Sequence, residues 1–360
     1  MSTYLTAEDI PDLARGAAIL GTGGGGDPYI GQLMALAAIE TNGPVELVAP
    51  SELPDDAQII PVAMMGAPTV MIEKLPSVDQ FVVAVNSLGQ YLGVKPTHLA
   101  CMESGGVNST IPIVAAAQMK LPLIDGDFMG RAFPELQMVT ATLFGLQATP
   151  MSITDDKGNA GIISTVTNLW AERLARSLTV EMGASSIVSL YTMRGWQAKQ
   201  AAVAGTLSQC VRIGRTVREA RAAHSDPVAA VAGVLGGRLI HTGKVTDIMR
   251  RTTAGFARGE ATLTGFDANE GTQLTLNFQN EHIIATRDGV VLSTAPDLLI
   301  CLDIDTGEPI TTESLRFGHR VGLIAAPADD RWHTPEGIAL VGPRYFGYDI
   351  DPVRWNAVEL

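Results

Sequence analysis

Short apolar segments alternate with helical patterns between residues 45 and 127, and this alternation constrains the fold more than any other feature of the sequence. The apolar segments that predict strands are VELV, QIIPVAMMG, THLACME and LPLIDGD. The segments with helical spacing between them are VDQFVVAVNSLGQYL and STIPIVAAAQM. Strands and helices in this order favour an α/β N-terminal domain with a mostly parallel sheet.

The pattern changes beyond about residue 151. Two helical patterns follow, NLWAERLARSLTVEMG and the long segment WQAKQAAVAGTLSQCVRIGRTVREARAA. After Gly236 the chain is rich in predicted strands, and the segment RDGVV is typical of a hairpin turn. We therefore expect an α/β domain over residues 1–167, followed over residues 168–360 by a smaller or similar-sized α+β domain rich in β-strands.

Composition excludes several classes of protein. The formal net charge of −13 and the lack of a Lys/Arg cluster argue against binding to nucleic acid or to a membrane surface. The 3 cysteines form no CxxC pair, so neither a disulfide framework nor a zinc ribbon is predicted. The N-terminus lacks a signal-peptide pattern, which favours a cytoplasmic protein. Because only 18% of the residues are charged, we also expect surface buried in a homo-oligomer.

The segment GTGGGGDPYIG, residues 21–31, follows a predicted helix. A dinucleotide fingerprint requires a strand before its glycines, and a Walker A loop requires a closing Gly-Lys-Ser/Thr. The segment has neither. Its glycine amides, with a helix capped by Asp27 and starting at Pro28, can bind an anion, a carboxylate or an oxyanion. The alternative is a tight helix-to-helix connection in which only glycine avoids a clash.

Two polar segments follow predicted strands, where the loops of a parallel sheet build a ligand crevice. In ESGGVNST, Glu103 is a candidate base or ligand and Asn108 a candidate substrate contact; the alternative is a capped βα turn. In DGDFMGRAFPE, Asp125 and Asp127 are expected on one strand face, with Arg131 beyond them. These two carboxylates can act as an acid/base pair or hold a cation, or Arg131 can neutralise them structurally.

A third polar group lies in LNFQNEHIIATRDG, which we interpret as containing one strand. Alternation then places Asn280 and His282 on one face and Glu281 on the other. An exposed sheet edge would explain this group equally well. Cys101 is expected to be a buried strand thiol rather than a nucleophile, and the scattered histidines support no local zinc site.

Five segments together resemble the S-methyl thiohydantoin desulfurase family. They are LGTGGGGDPYIG, ESGGVNST, LIDGDFMGRAFPELQM, FQNEHIIATRDGVVLSTAPDLLICLDIDTGEPITTESLRFGHRV and TPEGIALVGPRYFGYDID. The resemblance implies an α/β domain and a β-rich domain that meet near residues 165–170. It also implies hydrolysis of an S-methylated thiohydantoin ring, which releases methanethiol and leaves a hydantoin.

For such a reaction, we expect Glu103 or Asp127 to be the base that activates water. Amides of the glycine run, with Asn108, would bind the ring carbonyl or a substrate carboxylate, and Arg131 would pair with that carboxylate or hold the two aspartates. The candidate catalytic residues are Glu103, Asp125, Asp127 and Arg131. The candidate substrate- or anion-binding residues are Thr22, Gly23, Gly24, Gly25, Gly26, Asp27, Asn108, Asn280 and Glu281.

Several alternatives remain open at this stage. A divalent metal ion at the carboxylates is possible, and no other cofactor is expected. The substrate is expected to be a small carboxylate-bearing heterocycle, whose C–S or C–N bond is hydrolysed. The chain can instead be a non-catalytic or accessory subunit of a hydantoin- or oxoproline-processing assembly, or a phosphate-dependent enzyme that uses the glycine run to hold an anion.

Overall fold

The computed structural model describes residues 3–66, 70, 74, 76–253 and 256–358. The helices are α1 (Ile10–Leu20), α2 (Tyr29–Asn42), α3 (Val78–Leu92), α4 (Ile111–Met119), α5 (Thr140–Leu143), α6 (Asn168–Glu181), α7 (Gly195–Ala201), α8 (Thr206–Ala222), α9 (Pro227–Val234) and α10 (Pro335–Val341). The first strands are β1 (Thr3–Leu5), β2 (Val45–Val48), β3 (Gln58–Gly66), β4 (His98–Cys101), β5 (Leu123–Ile124), β6 (Gly126–Asp127), β7 (Met151–Thr154), β8 (Ala160–Ile163), β9 (Ser185–Ser189), β10 (Met193–Arg194) and β11 (Val203–Ala204). The later strands are β12 (Arg238–Thr253), β13 (Phe256–Gly265), β14 (Gln273–Gln279), β15 (Glu281–Arg287), β16 (Val290–Thr294), β17 (Leu298–Asp303) and β18 (Arg320–Ala326).

The large sheet has the strand order β1-β2-β5-β4-β3-β9-β7-β8, with β10 paired to β3. Strands β2, β5, β4 and β3 are parallel, as the alternating pattern predicts. The sheet is mixed, however, because β9, β7 and β8 extend it with antiparallel pairs. Sequence analysis did not predict these three strands. They are short, and β9 has the sequence SSIVS, so little hydrophobic pattern marks it although all five of its residues are buried.

The long helical pattern at residues 196–223 was predicted wrongly as a continuous helix. It forms α7 and α8, separated by the two-residue strand β11. Gly205 precedes α8 with φ of 77°, a left-handed conformation that ends any continuous helix there. Strand β11 pairs with β6 through Val203 and Asp127, so a long-range contact decides the break.

The C-terminal sheet is antiparallel, in the order β16-β15-β14-β13-β12-β18-β17. The sheet curls on itself and brings its two ends together. His282 Nδ1 on β15 lies 2.8 Å from Leu299 O on β17, the strand at the opposite edge. The sequence interpretation of one strand through Asn280 was wrong. Strand β14 ends at Gln279 and β15 begins at Glu281, and these two residues pair with each other. Asn280 forms the turn between them with φ of 56°.

Both parts of the chain share one hydrophobic core. Residues of α1, α3 and the large sheet pack in the same cluster as Ile283 of β15, Ile300 of β17 and Ile324 of β18. A second cluster fills the curled C-terminal sheet and contains Phe278, Leu299 and Leu323. The two-domain prediction, an α/β unit followed by a strand-rich unit, is confirmed. Within the described ranges, no helix is both long and apolar enough to cross a membrane.

Candidate functional site

The glycine loop, Gly21–Gly26, lies between the two domains. It begins where α1 ends, as the sequence predicts. Carbonyl groups of Thr22 and Gly23 accept hydrogen bonds from His282 N at 2.9 Å and Thr312 N at 2.8 Å, both in the C-terminal domain. On the other side, Val107 N donates to Gly25 O at 2.9 Å. The loop is therefore held by backbone contacts to both domains.

Glycine is required in this loop by the close approach of β15. A Cβ at Gly23 would lie 2.5 Å from His282 Cε1, and a Cβ at Gly24 would lie 2.0 Å from Glu281 Oε1. Both distances are shorter than any normal contact of a Cβ atom. The missing side chains thus make room for the first two residues of β15, and the acidic group packed against the glycines is the side chain of Glu281.

Asp27 was predicted to cap the next helix, but the N-cap is Pro28, and Asp27 lies one residue before it, exposed rather than in the crevice. Its Oδ1 accepts a hydrogen bond from Tyr29 N at 2.9 Å. Helix α2 begins at Tyr29, one residue after the predicted start at Pro28. Gly26 has φ of 74°. Gly26 and Glu313 both line a small cavity of about 30 Å³ beside the glycine loop.

A pocket with a volume of about 110 Å³ lies at the interface of the two domains. Met64 and Met102, at the ends of β3 and β4, contribute to its apolar wall together with Phe133. Its acidic groups include Glu103, which follows β4, and Glu281, which starts β15. Enclosed pockets between domains are frequent ligand sites, because several chain segments can place polar groups around one small volume.

Asn108 fixes the orientation of Glu103. Its side-chain Oδ1 accepts a hydrogen bond from Met64 N at 2.7 Å, and its Nδ2 donates to Glu103 Oε2 at 2.9 Å. Glu103 is 7% exposed. Burial raises the pKa of Glu103 well above its usual range, the nearby charges of Glu281 and Asp127 raise it further, and the Asn108 bond opposes the shift.

Glu281 is less satisfied by hydrogen bonds than Glu103. It is 2% exposed, and its Oε2 has no hydrogen-bond partner among the described residues. Burial raises the pKa of Glu281 to about 8, although the positive charge of Arg131 and the amide of Gly25 favour the ionised form. A buried carboxyl group with an unpaired oxygen, facing a pocket, is an arrangement typical of functional sites.

Asp127 is fully buried but well satisfied. Its Oδ2 accepts hydrogen bonds from Ser104 N at 2.8 Å and Met129 N at 3.2 Å, and Gly130 N lies 3.0 Å from both oxygens. Burial raises the pKa of Asp127 to about 6, and these amides oppose that shift. The carboxylate ties the loop that carries Glu103 to the segment after β6.

Asp125 contacts a different part of the chain. It accepts hydrogen bonds from Ser208 N at 3.0 Å and Ser208 Oγ at 2.6 Å, near the start of α8. It also lines a surface cavity shared with Lys199, whereas the pocket between the domains is lined by other residues. The structure therefore does not bring Asp125 and Asp127 together on one ligand-facing surface.

Arg131 is fully buried and binds backbone rather than the two aspartates. Its Nη1 donates to Pro296 O and Asp297 O, both at 2.8 Å, and its Nη2 donates to Thr22 Oγ1 at 2.7 Å. The guanidinium also lies 4.6 Å from the centre of the Phe133 ring. The hypothesis that Arg131 holds Asp125 and Asp127 in place was wrong.

Asn280 lines the pocket from the turn between β14 and β15. Its N–H donates to Ala257 O at 2.8 Å, and its Oδ1 accepts from Ala257 N at 2.8 Å. Thr312 Oγ1 donates to its carbonyl oxygen at 2.7 Å. These bonds fix the turn that presents Glu281.

Sequence reasoning missed the residues at the pocket mouth. Glu172 and Arg176, one turn apart on α6, line the pocket and form an ion pair. Glu172 Oε2 also accepts a hydrogen bond from Leu136 N at 3.0 Å, and the Arg176 guanidinium lies 4.7 Å from the centre of the Phe256 ring. A Glu and an Arg four residues apart on a helix usually form an ion pair in solvent. Only the burial of Glu172 distinguishes this pair from such a surface pair, and burial is not visible in the sequence.

Cys101 lies beside the pocket as a buried thiol. Its Sγ donates to Glu103 O at 2.7 Å, and burial raises the pKa of the thiol well above its usual range. A neutral thiol is a poor nucleophile. Within the described part of the chain, no three His, Cys, Asp or Glu side chains are placed to hold a metal ion. The possible divalent cation therefore has no donor set there.

A family model described as the S-Me-THD-like N-terminal domain matches residues 8–165, and the corresponding C-terminal domain matches residues 166–355. The chain belongs to the S-Me-THD-like family. This membership supports the S-methyl thiohydantoin desulfurase resemblance and indicates a desulfurase-like role.

The fold of this family member is also similar to that of a protein from Chromobacterium violaceum solved by X-ray crystallography. The TM-score is 0.80 at 20% sequence identity, and the match covers 98% of this chain and 100% of the other. At that identity the likeness shows a shared fold. No curated protein matches the chain.

Proposed function

We propose that the protein is a hydrolase that cleaves the C–S bond of an S-methyl thiohydantoin-like ring. The observation that carries this proposal is the pair of buried carboxyl groups, Glu103 and Glu281, which come from different domains and line one pocket. Two carboxyl groups whose environments differ supply an acid and a base to one reaction centre. The family membership supports our choice of ring.

The reaction requires one water molecule. The water oxygen attacks the ring carbon that bears sulfur, and a base removes its proton. The C–S bond then breaks, and an acid transfers a proton to the methylthio sulfur, which leaves as methanethiol. The attack moves the π pair of the ring C=N bond to nitrogen, which takes up one of the two water protons, while the other proton is balanced by the one that leaves on methanethiol. The new C–O bond becomes the carbonyl of a hydantoin, so atoms and electrons balance without an oxidant or a reductant.

Glu281 is the better base of the pair. The charge of Arg131 and the Gly25 amide favour its ionised form. Once Glu281 is ionised, its charge disfavours ionisation of Glu103, which keeps its proton and acts as the acid. This assignment replaces the earlier expectation of Glu103 or Asp127 as the base, since the oxygens of Asp127 accept hydrogen bonds from backbone amides.

The pocket suits a small heterocycle. Its volume is about 110 Å³, and its wall combines apolar side chains with a few polar groups, as ligand pockets usually do. Arg176 is the cationic side chain that lines it within the described residues, and it is our candidate for binding a substrate carboxylate. Arg131 is less suitable for that role, because its guanidinium already donates to protein oxygens.

The test uses the full-length protein and a synthetic S-methyl thiohydantoin, with methanethiol detected by a thiol reagent and the hydantoin by mass spectrometry. Glu281→Gln and Glu103→Gln should each lower kcat about 10²- to 10³-fold, the usual contribution of a general base or acid. Both variants should keep the wild-type fold. Glu336→Gln, an exposed carboxyl group at the start of α10, is the control and should retain wild-type turnover.

Three outcomes would contradict the proposal. Wild-type rates in both pocket variants would remove the carboxyl pair from the mechanism. Ring opening without methanethiol would indicate C–N rather than C–S hydrolysis. Binding of the ring without turnover, together with a co-purifying partner, would indicate an accessory subunit.

A further inference from the structure

Arg131 is a buried cation without a direct ion-pair partner. It has no exposed surface, and none of the described carboxylates lies within ion-pair distance of its guanidinium, since the acceptors that it contacts are carbonyl and hydroxyl oxygens. Burial of a charge is costly unless nearby groups compensate for it. Arg131 therefore has a function that a neutral side chain of similar size would not provide.

The guanidinium joins three separate segments. Nε donates to Ala132 O at 3.0 Å on its own segment. Nη1 donates to the carbonyls of Pro296 and Asp297, just before β17, and Nη2 donates to Thr22 Oγ1 in the glycine loop. Arg131 thus connects the N-terminal domain, the glycine loop and the C-terminal sheet at the point where Glu281 enters the pocket.

The charge of Arg131 acts on the same carboxyl group. The charges of Arg131 and Glu281 attract each other, and each favours the ionised form of the other against the effect of burial. The other charged or titratable groups around Glu281 lie on several elements. They are Glu103 after β4, Arg176 on α6 and His282 on β15. Burial lowers the pKa of His282 to about 4, so it is neutral, and Arg176 already pairs with Glu172.

We propose that Arg131 is the positioning residue of this site: its guanidinium clamps the glycine loop to the C-terminal domain, and its charge favours the ionised form of Glu281, which accepts a proton. The assignment of Glu281 as the base rests on the proposed function. The electrostatic coupling rests on the burial and the charges of the two groups, and it can be tested without any substrate, whereas the clamp rests on the hydrogen bonds of the guanidinium.

The first test measures unfolding and needs no activity. The free energy of unfolding of the wild type is compared with that of Glu281→Gln from pH 5 to pH 10. The difference between the two grows with pH until the pKa of Glu281 in the folded protein is reached, so the pH range over which it grows reports that pKa. In an Arg131→Met background this range should extend upward by about one pH unit. In an Arg131→Lys background, which keeps the charge, the range should stay near that of the wild type. Identical ranges in the Met and Lys backgrounds would overturn the electrostatic role.

The second test addresses the clamp and the reaction. Thr22→Val removes the oxygen that Arg131 Nη2 contacts and keeps the side-chain shape, so KM should rise about tenfold while the pH dependence of kcat is preserved. Thr22→Ser keeps the hydroxyl and should recover most of that loss. In Arg131→Met the rising limb of kcat against pH should move upward by about one unit. An unchanged KM in Thr22→Val would overturn the clamp.

The two tests also separate this inference from the proposed function. If no ring is hydrolysed but the unfolding range still shifts in the Met background, the proposed function fails and the coupling of Arg131 to Glu281 stands. If Arg131→Met does not fold, Arg131→Gln, which is also neutral, replaces it in the first test, and Thr22→Val decides the clamp. A wild-type range in Arg131→Gln and a wild-type KM in Thr22→Val would then leave Arg131 with a structural role only.

Discussion

Asp127 and Glu281 are both buried carboxyl groups near one pocket, yet their surroundings differ. Asp127 accepts hydrogen bonds from the amides of Ser104, Met129 and Gly130. Glu281 has an oxygen without any partner among the described residues, and it faces the pocket. The first arrangement stabilises a loop, whereas the second leaves a group available for chemistry.

The number of hydrogen-bond partners separates structural from functional carboxyl groups in this fold. A carboxylate that accepts several backbone N–H groups contributes to folding, because its removal leaves those donors buried and unpaired. A carboxyl group that is buried without partners destabilises the fold and requires another reason to be there. Four substitutions test this separation.

Asp127→Ala should lower the free energy of unfolding by about 4 kcal/mol, since three buried amides lose their acceptor. Urea denaturation followed by circular dichroism gives the value. Asp127→Asn retains one acceptor oxygen and should recover more than half of the loss. An alanine variant as stable as the wild type would show that these hydrogen bonds do not hold the loop.

Glu281→Gln should have the opposite effect and stabilise the protein, by about 3 kcal/mol at pH 8 and by little at pH 5. The sign follows from the folded pKa of about 8, which lies above the value of an exposed glutamate. The folded wild type binds more protons than the unfolded chain between these two values, so its stability falls as pH rises through them. Denaturation at both pH values measures the difference, and a destabilised variant at pH 8 would mean that Glu281 is a structural residue like Asp127.

Gly24→Ala should cost about 2 kcal/mol, because its Cβ would lie 2.0 Å from Glu281 Oε1 and must displace that side chain. Turnover should fall with it, since the displaced group is our candidate base. Gly233→Ala in α9 is the matched control, as no atom lies within 4 Å of its added Cβ. That control should be neutral or stabilising by up to about 1 kcal/mol. Equal effects in thermal unfolding would remove the steric argument for the glycine loop.

Cys101→Ser should have the smallest effect, below about 1 kcal/mol in stability and a few-fold in kcat. The hydroxyl can still donate to Glu103 O, the acceptor of the thiol. Steady-state assays beside the wild type provide the check. Complete loss of turnover in a folded serine variant would indicate a cysteine nucleophile.

Local sequence patterns were sufficient for much of the architecture. The helix at Val78–Leu92 and the strand at Gln58–Gly66 lie where their periodicity and apolar runs predict them. The same patterns predicted a polar loop after β4. Its residues Glu103 and Asn108 line the pocket. Segments with a strong hydrophobic period behave this way because burial of their apolar face decides their conformation.

The partners of individual side chains were decided by the tertiary structure. Asn280 forms a turn because β14 and β15 pair around it, and Asp125 contacts α8 because the chain returns there more than 80 residues later. Arg131 binds carbonyls about 165 residues away, which no local spacing predicts. Most of the helices and strands, and the loops that bear polar groups, follow from the sequence, since these depend on neighbours along the chain. Only the packing of two domains decided which acids are satisfied and which face the pocket, because hydrogen-bond partners and burial depend on distances that sequence spacing does not encode.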